Sequence, residues 1–138
     1  MTSLIREIND VITESTEPHH KGVVVELEID TEENTYYRKV IHTSKFSQLV
    51  LMSLKPGEDI GLETHKGDQF IRIDKGVAKS ILDGKESDMK DGDAVIIPAG
   101  VKHNIVNPSD SKDLKIYAVY SPPEHPDGHI DQTKPTVD

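Results

Sequence analysis

An all-β fold, a small antiparallel barrel or sandwich with one short helix in front of it, follows from three features of the sequence. Short apolar segments recur along the middle of the chain, and none has the length or the period of a helix. Turn signals carrying glycine separate them, at Pro56-Gly57, Lys75-Gly76, Asp83-Gly84, Asp91-Gly92 and Ala99-Gly100, the last four glycines falling eight residues apart. Of 138 residues 34% are hydrophobic but only 4% aromatic, with no Trp, so the core must be built from Val, Ile and Leu. One domain is expected at this length.

Residues 3–14 place Leu4, Ile5, Ile8, Val11 and Ile12 on one face of a short helix, with Ser3 available as its cap. A polar break from Ser15 to Lys21 follows, and then Val23-Val24-Val25-Glu26-Leu27-Glu28-Ile29 predicts a strand from its β-branched residues and alternation. Further strands are expected over Tyr36–Ile41, Gln48–Leu54, Phe70–Ile73, Val77–Leu82, Ala94–Ile97, Ile105-Val106 and Leu114–Tyr120. Asp83-Gly84 is the clearest hairpin signal, because a two-residue type I′ turn needs positive φ at both positions. From Ser121 onward the chain carries Pro122, Pro123, Pro126 and Pro135 and is expected to wrap over the surface or stay mobile. The organisation read from these features is residues 1–45 as leading helix and strands, 46–120 as the barrel and 121–138 as a proline-rich tail.

Charge and composition narrow the function. The formal net charge is −9, from 16 Lys+Arg against 25 Asp+Glu, and no basic run exceeds two residues, which argues against nucleic acid or an anionic membrane as partner. There is no cysteine, so disulfides, thiolate nucleophiles and Cys-bound metals are excluded, and any metal site must use nitrogen and oxygen. The scattered charges of the first residues contain no apolar stretch of signal-peptide length, and a cytoplasmic protein is expected. No phosphate-binding glycine loop and no nucleophile elbow is present.

Two segments carry the chemistry. In the first, Glu63 and His65 stand two apart and would project to one side of a strand, while Gln69 returns on the adjoining strand across a Lys66-Gly67-Asp68 reversal. Burying a carboxylate, an imidazole and an amide among Leu62 and Ile71 costs about 1–3 kcal/mol for each unsatisfied neutral group and more for a charge, and a bound cation removes that cost. The bland alternative is that these groups bond to one another and to water. In the second segment Pro98 and Gly100 turn the chain after a buried strand, and His103 sits just beyond, where it can point inward as a fourth group.

On these residues the chain resembles a small single-domain cupin. The second motif of that family, G(X)5PXG(X)2H(X)3N, is matched at every fixed position by Gly92, Pro98, Gly100, His103 and Asn107, a chance coincidence on the order of one in ten thousand. The first motif, G(X)5HXH(X)3,4E(X)6G, is matched by Gly57, His65 and Gly76, but Glu63 stands where the first histidine belongs and Gln69 where the glutamate belongs. The resemblance covers roughly Phe46 to Tyr120; more loosely, Ser47 to Pro123 is similar to small bacterial cupins labelled mannose-6-phosphate-isomerase-like, a label that speaks to fold more than to activity. It implies a jelly-roll (double-stranded β-helix) barrel of two antiparallel sheets, a site inside one end and a homodimer. Its ligand positions imply a metal held by Glu63, His65, Gln69 and His103. The two substitutions move the carboxylate and exchange one imidazole for an amide, leaving the ligand charge at −1. Two histidines and one carboxylate suit Fe(II) or Mn(II), with Zn(II) or Ni(II) also compatible, and Gln69 as a weaker amide donor binds the ion, its water or the substrate.

Other candidates are weaker. His19-His20, and His125 with His129, lie in polar or proline-rich stretches where exposed histidine needs no explanation, although the tail segment Glu124 to His129 is placed to fold over the barrel mouth and offer an acid or base. Arg38, Gln48, Tyr117 and Tyr120 lie on expected strands, where packing accounts for them more readily than substrate binding; Arg72 and Lys75 are expected to point outward and Asp68 to serve a turn. The function expected is that of a metal-dependent enzyme acting on a small polar molecule by isomerase, oxygenase or lyase chemistry. The alternative is a non-catalytic module that holds a metabolite or a metal in the same cavity.

Overall fold

A computed structural model describes residues 21–136; the helix expected over residues 3–14 and the His19-His20 pair lie outside the described residues. The elements run α1 (Leu27–Glu33), β1 (Arg38–Thr43), β2 (Gln48–Leu54), β3 (Asp68–Lys75), β4 (Val77–Leu82), β5 (Lys85–Lys90), β6 (Ala94–Ile97), β7 (His103–Val106), β8 (Leu114–Ser121) and β9 (Ile130–Asp131). A six-stranded sheet of order β6-β3-β8-β2-β1-β9 faces a three-stranded sheet of order β5-β4-β7, and every pairing is antiparallel. This is the jelly-roll architecture expected from the sequence.

The core lies between the sheets. Successive side chains of a strand point to opposite faces, so alternate residues of β3 (Ile71, Ile73) and β8 (Leu114, Ile116, Ala118, Tyr120) enter it together with Val50, Met52 and Leu54 of β2. Across β2, β8, β3 and β6 the register sets Gln48 beside Tyr120, Tyr120 beside Gln69, and Gln69 beside Ile97. All four are at most 5% exposed, so a row of three polar side chains, Gln48, Tyr120 and Gln69, lies at one end of an otherwise aliphatic interior.

Two sequence expectations need correction. Residues Val23–Ile29 do not form a strand: the chain is irregular to Glu26 and then turns into α1. Leu27 and Val25 are still half-buried by their pattern, but against Ile41, Leu51, Leu49 and Tyr117 on the outer face of the large sheet. Glu28 and Asp30 in the first turn favour a helix through its dipole, and alternation alone cannot tell a strand from a short helix laid on a sheet. The second correction is β5, Lys85-Glu-Ser-Asp-Met-Lys90, which has only Met89 buried and therefore shows no apolar run. It pairs with β4 in unbroken register across Asp83-Gly84, where φ is +48° and +85°, the two positive angles expected of that turn. Charged side chains on such an edge strand hinder pairing with another chain.

Among the described residues no helix is long and apolar enough to cross a membrane.

Candidate functional site

The site forms where the turn after β6 meets the loop between β2 and β3. Glu63 and His65 lie in that loop rather than on a strand, which corrects the sequence expectation, yet the backbone fixes both. Glu63 and His103 exchange reciprocal N–H···O bonds of 2.9 Å each as an isolated antiparallel bridge, and the Gly100 N–H donates to the His65 carbonyl at 2.9 Å. The two sequence motifs are thus tied together by main-chain bonds, with their ligand-type side chains brought to one place. Asp68 accepts a bond from the Ala99 N–H at 2.9 Å, the turn-holding role expected of it.

His103 opens β7 and is 0% exposed. Its Nδ1 stands 2.9 Å from the Val101 carbonyl oxygen, which can only accept, so Nδ1 carries the proton and Nε2 is left as a bare lone pair. That Nε2 is buried and has no partner. The Oε1 of Gln69, on β3 and 2% exposed, is likewise buried without a partner. The His65 ring lies 5.0 Å from the His103 ring and 5.6 Å from the Tyr120 ring, centroid to centroid. Its Nε2 is 3.6 Å from Glu63 Oε2, too long for a hydrogen bond. Burial pushes the Tyr120 phenol well above its ordinary range, so Tyr120 stays neutral across the working pH.

The tail crosses this end of the barrel. Gln48, 1% exposed, donates from Nε2 to the His125 carbonyl at 2.7 Å and to Thr43 Oγ1 at 2.9 Å, and its Oε1 accepts from the N–H groups of Glu124 at 3.2 Å and His125 at 2.9 Å. Beyond it β9 pairs with β1, Arg38 Nη1 bonds Asp131 Oδ2 at 2.7 Å, and Lys134 pairs with Asp59. Burial would raise the Asp131 carboxyl, but the bonds from Arg38 and His129 outweigh it and hold the group below the usual carboxylate range. The His125 ring stands edge-on to Tyr120 at 5.2 Å, and burial, followed by the charge of Arg38, lowers its pKa to about 4. Glu124 brings Oε1 to 2.9 Å from Nδ1 of His65.

Glu63, His65, Gln69 and His103 are therefore assembled at one end of the barrel, in keeping with their spacing. Among the described residues no three His, Asp or Glu side chains stand in coordination geometry around a common point. What the site offers instead is two buried acceptors without a partner, His103 Nε2 and Gln69 Oε1, near the Glu63–His65 pair. The donor chemistry fits a divalent cation, since two buried acceptors lack any proton to receive and a carboxylate, Glu63, stands beside the neighbouring His65 ring.

Gln48 has its place through the tail, a role sequence reasoning missed because nothing in the spacing links residue 48 to residues 124 and 125. Tyr117 faces the outer surface with Ile41 and Leu51, Arg72 is half exposed and pairs with Asp74 at 2.9 Å, and Lys75 is exposed, so none of the three enters the site.

Comparison with known proteins accords with this geometry. The sequence profile of the cupin domain family Cupin_2 matches residues 50–120. Uncharacterized protein L612 of Acanthamoeba polyphaga mimivirus is 50% identical over 117 residues, covering 81% of this chain and 72% of that protein. Uncharacterized protein YrkC of Bacillus subtilis is 40% identical over 124 residues, covering 83% of this chain but only 64% of its own length. The crystal structure of BH2720 from Bacillus halodurans superposes with a TM-score of 0.81 at 35% identity, over 87% of this chain and 96% of that one.

Proposed function

This chain belongs to the cupin domain family, and from that premise we propose that its barrel mouth binds one divalent cation through Glu63, His65 and His103, with Gln69 as accessory donor, and that the protein is a metal-dependent enzyme acting on a small polar molecule. The observation that carries the reading is the pair of fully buried acceptors without partners, His103 Nε2 and Gln69 Oε1. Natural interiors rarely leave such atoms unsatisfied, because each costs about 1–3 kcal/mol, and a cation satisfies several at once.

The ion, when bound, supplies Lewis-acid or redox chemistry at a polarised substrate oxygen. The chain's own residues do the rest. His103 is locked in its Nδ1–H form by the Val101 carbonyl, so that its Nε2 is ready to donate a lone pair without first losing a proton. Glu63 contributes the negative charge that offsets part of the cation's own. Gln69 and Tyr120, neighbours across β3 and β8, belong to the polar end of the barrel interior, and the neutral phenol is available as a hydrogen-bond donor to a substrate oxygen. The tail over the mouth limits the entry of bulk water and favours a small substrate over a polymer.

Isothermal titration of chelator-treated protein with Mn(II), Fe(II) under anaerobic conditions, Ni(II) and Zn(II) tests the cation site. One ion per chain is expected, lost in both Glu63→Ala and His103→Ala; equal binding in both variants overturns the assignment. Oxygen uptake by the Fe(II)-loaded protein with candidate substrates would place the chemistry among oxygenases, turnover with Zn(II) among isomerases or lyases, and tight ligand binding without turnover would contradict the enzyme reading in favour of a binding module.

A further inference from the structure

We propose that the C-terminal segment 121–134 is a strap that delivers Glu124 to the site, where its carboxylate positions the His65 ring; its consequence for the ion rests on the metal-binding reading above, its consequence for the ring does not. The strap is built into the barrel rather than laid on it. Its root passes Gly67 so closely that a Cβ there would meet the Ser121 carbonyl oxygen at 2.4 Å and Pro122 Cδ at 2.5 Å, so only glycine fits. Its middle is held by Gln48, whose amide spends both ends on the backbone of residues 124 and 125 from inside the core. Its far end is pinned by the Val40 N–H to the His129 carbonyl at 2.9 Å, by Arg38 to Asp131, and by Lys134 to Asp59.

Glu124 is the side chain fixed between these anchors, and two carboxylates therefore face opposite nitrogens of one imidazole. Glu124 Oε1 is 2.9 Å from Nδ1 of His65, whereas Glu63 Oε2 is 3.6 Å from Nε2. The single proton of a neutral ring is more stable on the nitrogen with the nearer anion, which is Nδ1. Nε2 is then a bare lone pair turned towards Glu63, in the same tautomer that Val101 imposes on His103. Both rings thus keep the same nitrogen, Nε2, free of a proton, one set by the Val101 carbonyl just before β7 and the other by a carboxylate from the far end of the chain. A carboxylate behind a histidine ligand orients the ring and raises its basicity, and losing such a partner typically weakens metal binding about 10–100-fold.

The test uses the full chain with Glu124→Ala, Glu124→Gln and Gln48→Leu. Glu124 is about one-third exposed, so its variants are expected to fold. Long-range 1H–15N correlation spectra of the metal-free protein at about pH 8.5, above the ordinary imidazole range, report the tautomer of each histidine. The Nδ1–H form of His65 is expected in the parent, a mixture or the Nε2–H form in Glu124→Ala and Gln48→Leu, and recovery of Nδ1–H in Glu124→Gln, whose amide oxygen still accepts. His103 should not change in any of them. Titration with Zn(II) should give binding about 10–100-fold weaker in Glu124→Ala and close to the parent in Glu124→Gln. An Nε2–H His65 in the parent, or an unchanged tautomer in Glu124→Ala, overturns the proposal; a parent that holds Nδ1–H yet binds no ion upholds the strap and overturns the metal reading instead.

Discussion

His103 and Asn107 come from one motif, four residues apart around β7, and both are buried to 1% exposure or less, yet the structure treats them in opposite ways. Every hydrogen-bonding end of Asn107 is used: Nδ2 donates to the carbonyls of Leu54 at 3.0 Å and Lys112 at 2.9 Å, and Oδ1 accepts from the Ser109 N–H at 3.1 Å. His103 uses one nitrogen on a neighbouring carbonyl and leaves the other bare in the interior. A satisfied polar residue stabilises the loop it ties down; an unsatisfied one is retained against a cost, which the ion proposed above would offset. Near Asn107, Lys115 likewise finds partners in the Asn34 carbonyl at 2.7 Å and Ser53 Oγ at 2.9 Å.

Replacing each residue by leucine sharpens the contrast most. In the metal-free protein Asn107→Leu is expected to lose about 3 kcal/mol in urea unfolding, because two carbonyls and an N–H lose their partner, while His103→Leu stays within about 1 kcal/mol of the parent, since it gives up one bond, to the Val101 carbonyl, and removes an acceptor that had no partner. Equal losses would break the comparison. Next in size is Gly67→Ala, where the new methyl must displace backbone at the root of the tail; a loss of about 1–3 kcal/mol is expected, with the tail amides exchanging faster than those of β4 and β5. Gln48→Leu should release the same segment at about 1–2 kcal/mol, read as new proteolytic cleavage between residues 122 and 131 with the barrel intact.

A further effect is on pH. The folded pKa of His125 lies at about 4 against an ordinary 6.5, so the unfolded chain takes up the proton first as pH falls. Stability contributed by the neutral ring is complete above about 6.5 and is lost progressively towards pH 4. Arg38, His129 and His65 oppose the added charge, Asp131 favours it, and the neutral phenol of Tyr120 lies against the ring. His125→Gln should flatten the fall of midpoint urea concentration through that window relative to the parent.

How much of this the sequence carried depended on whether the information was local. Gln48–Leu54, Val77–Leu82 and Ala94–Ile97 were legible to the residue because each is a run of apolar side chains bounded by turn residues. β5 was not, since an edge strand shows its backbone pairing only through β4 and its side chains only as charge. The lead into α1 was misread because burial on the outside of a sheet leaves the same pattern as burial in a strand. That Glu63, His65, Gln69 and His103 come together at one end of the barrel was legible in motif spacing, which is kept by turns of fixed length. That Glu63 and His65 lie off the strands, held by the Glu63–His103 bridge and the Gly100 bond, depends on contacts between segments some 35–40 residues apart, which spacing does not encode. The tail's grip on Gln48 spans a longer separation still, 77 residues to His125, and Gly67, legible from sequence only as part of a reversal, is where that segment passes close by.

Elemental analysis by mass spectrometry of untagged protein purified without chelator, with His103→Leu prepared alongside, tests the central claim most directly. The expected result is close to one Fe, Mn, Ni or Zn ion per parent chain and none in the variant. An ion content unchanged in His103→Leu, or a parent that stays empty after anaerobic reloading, would contradict a cation site at the barrel mouth.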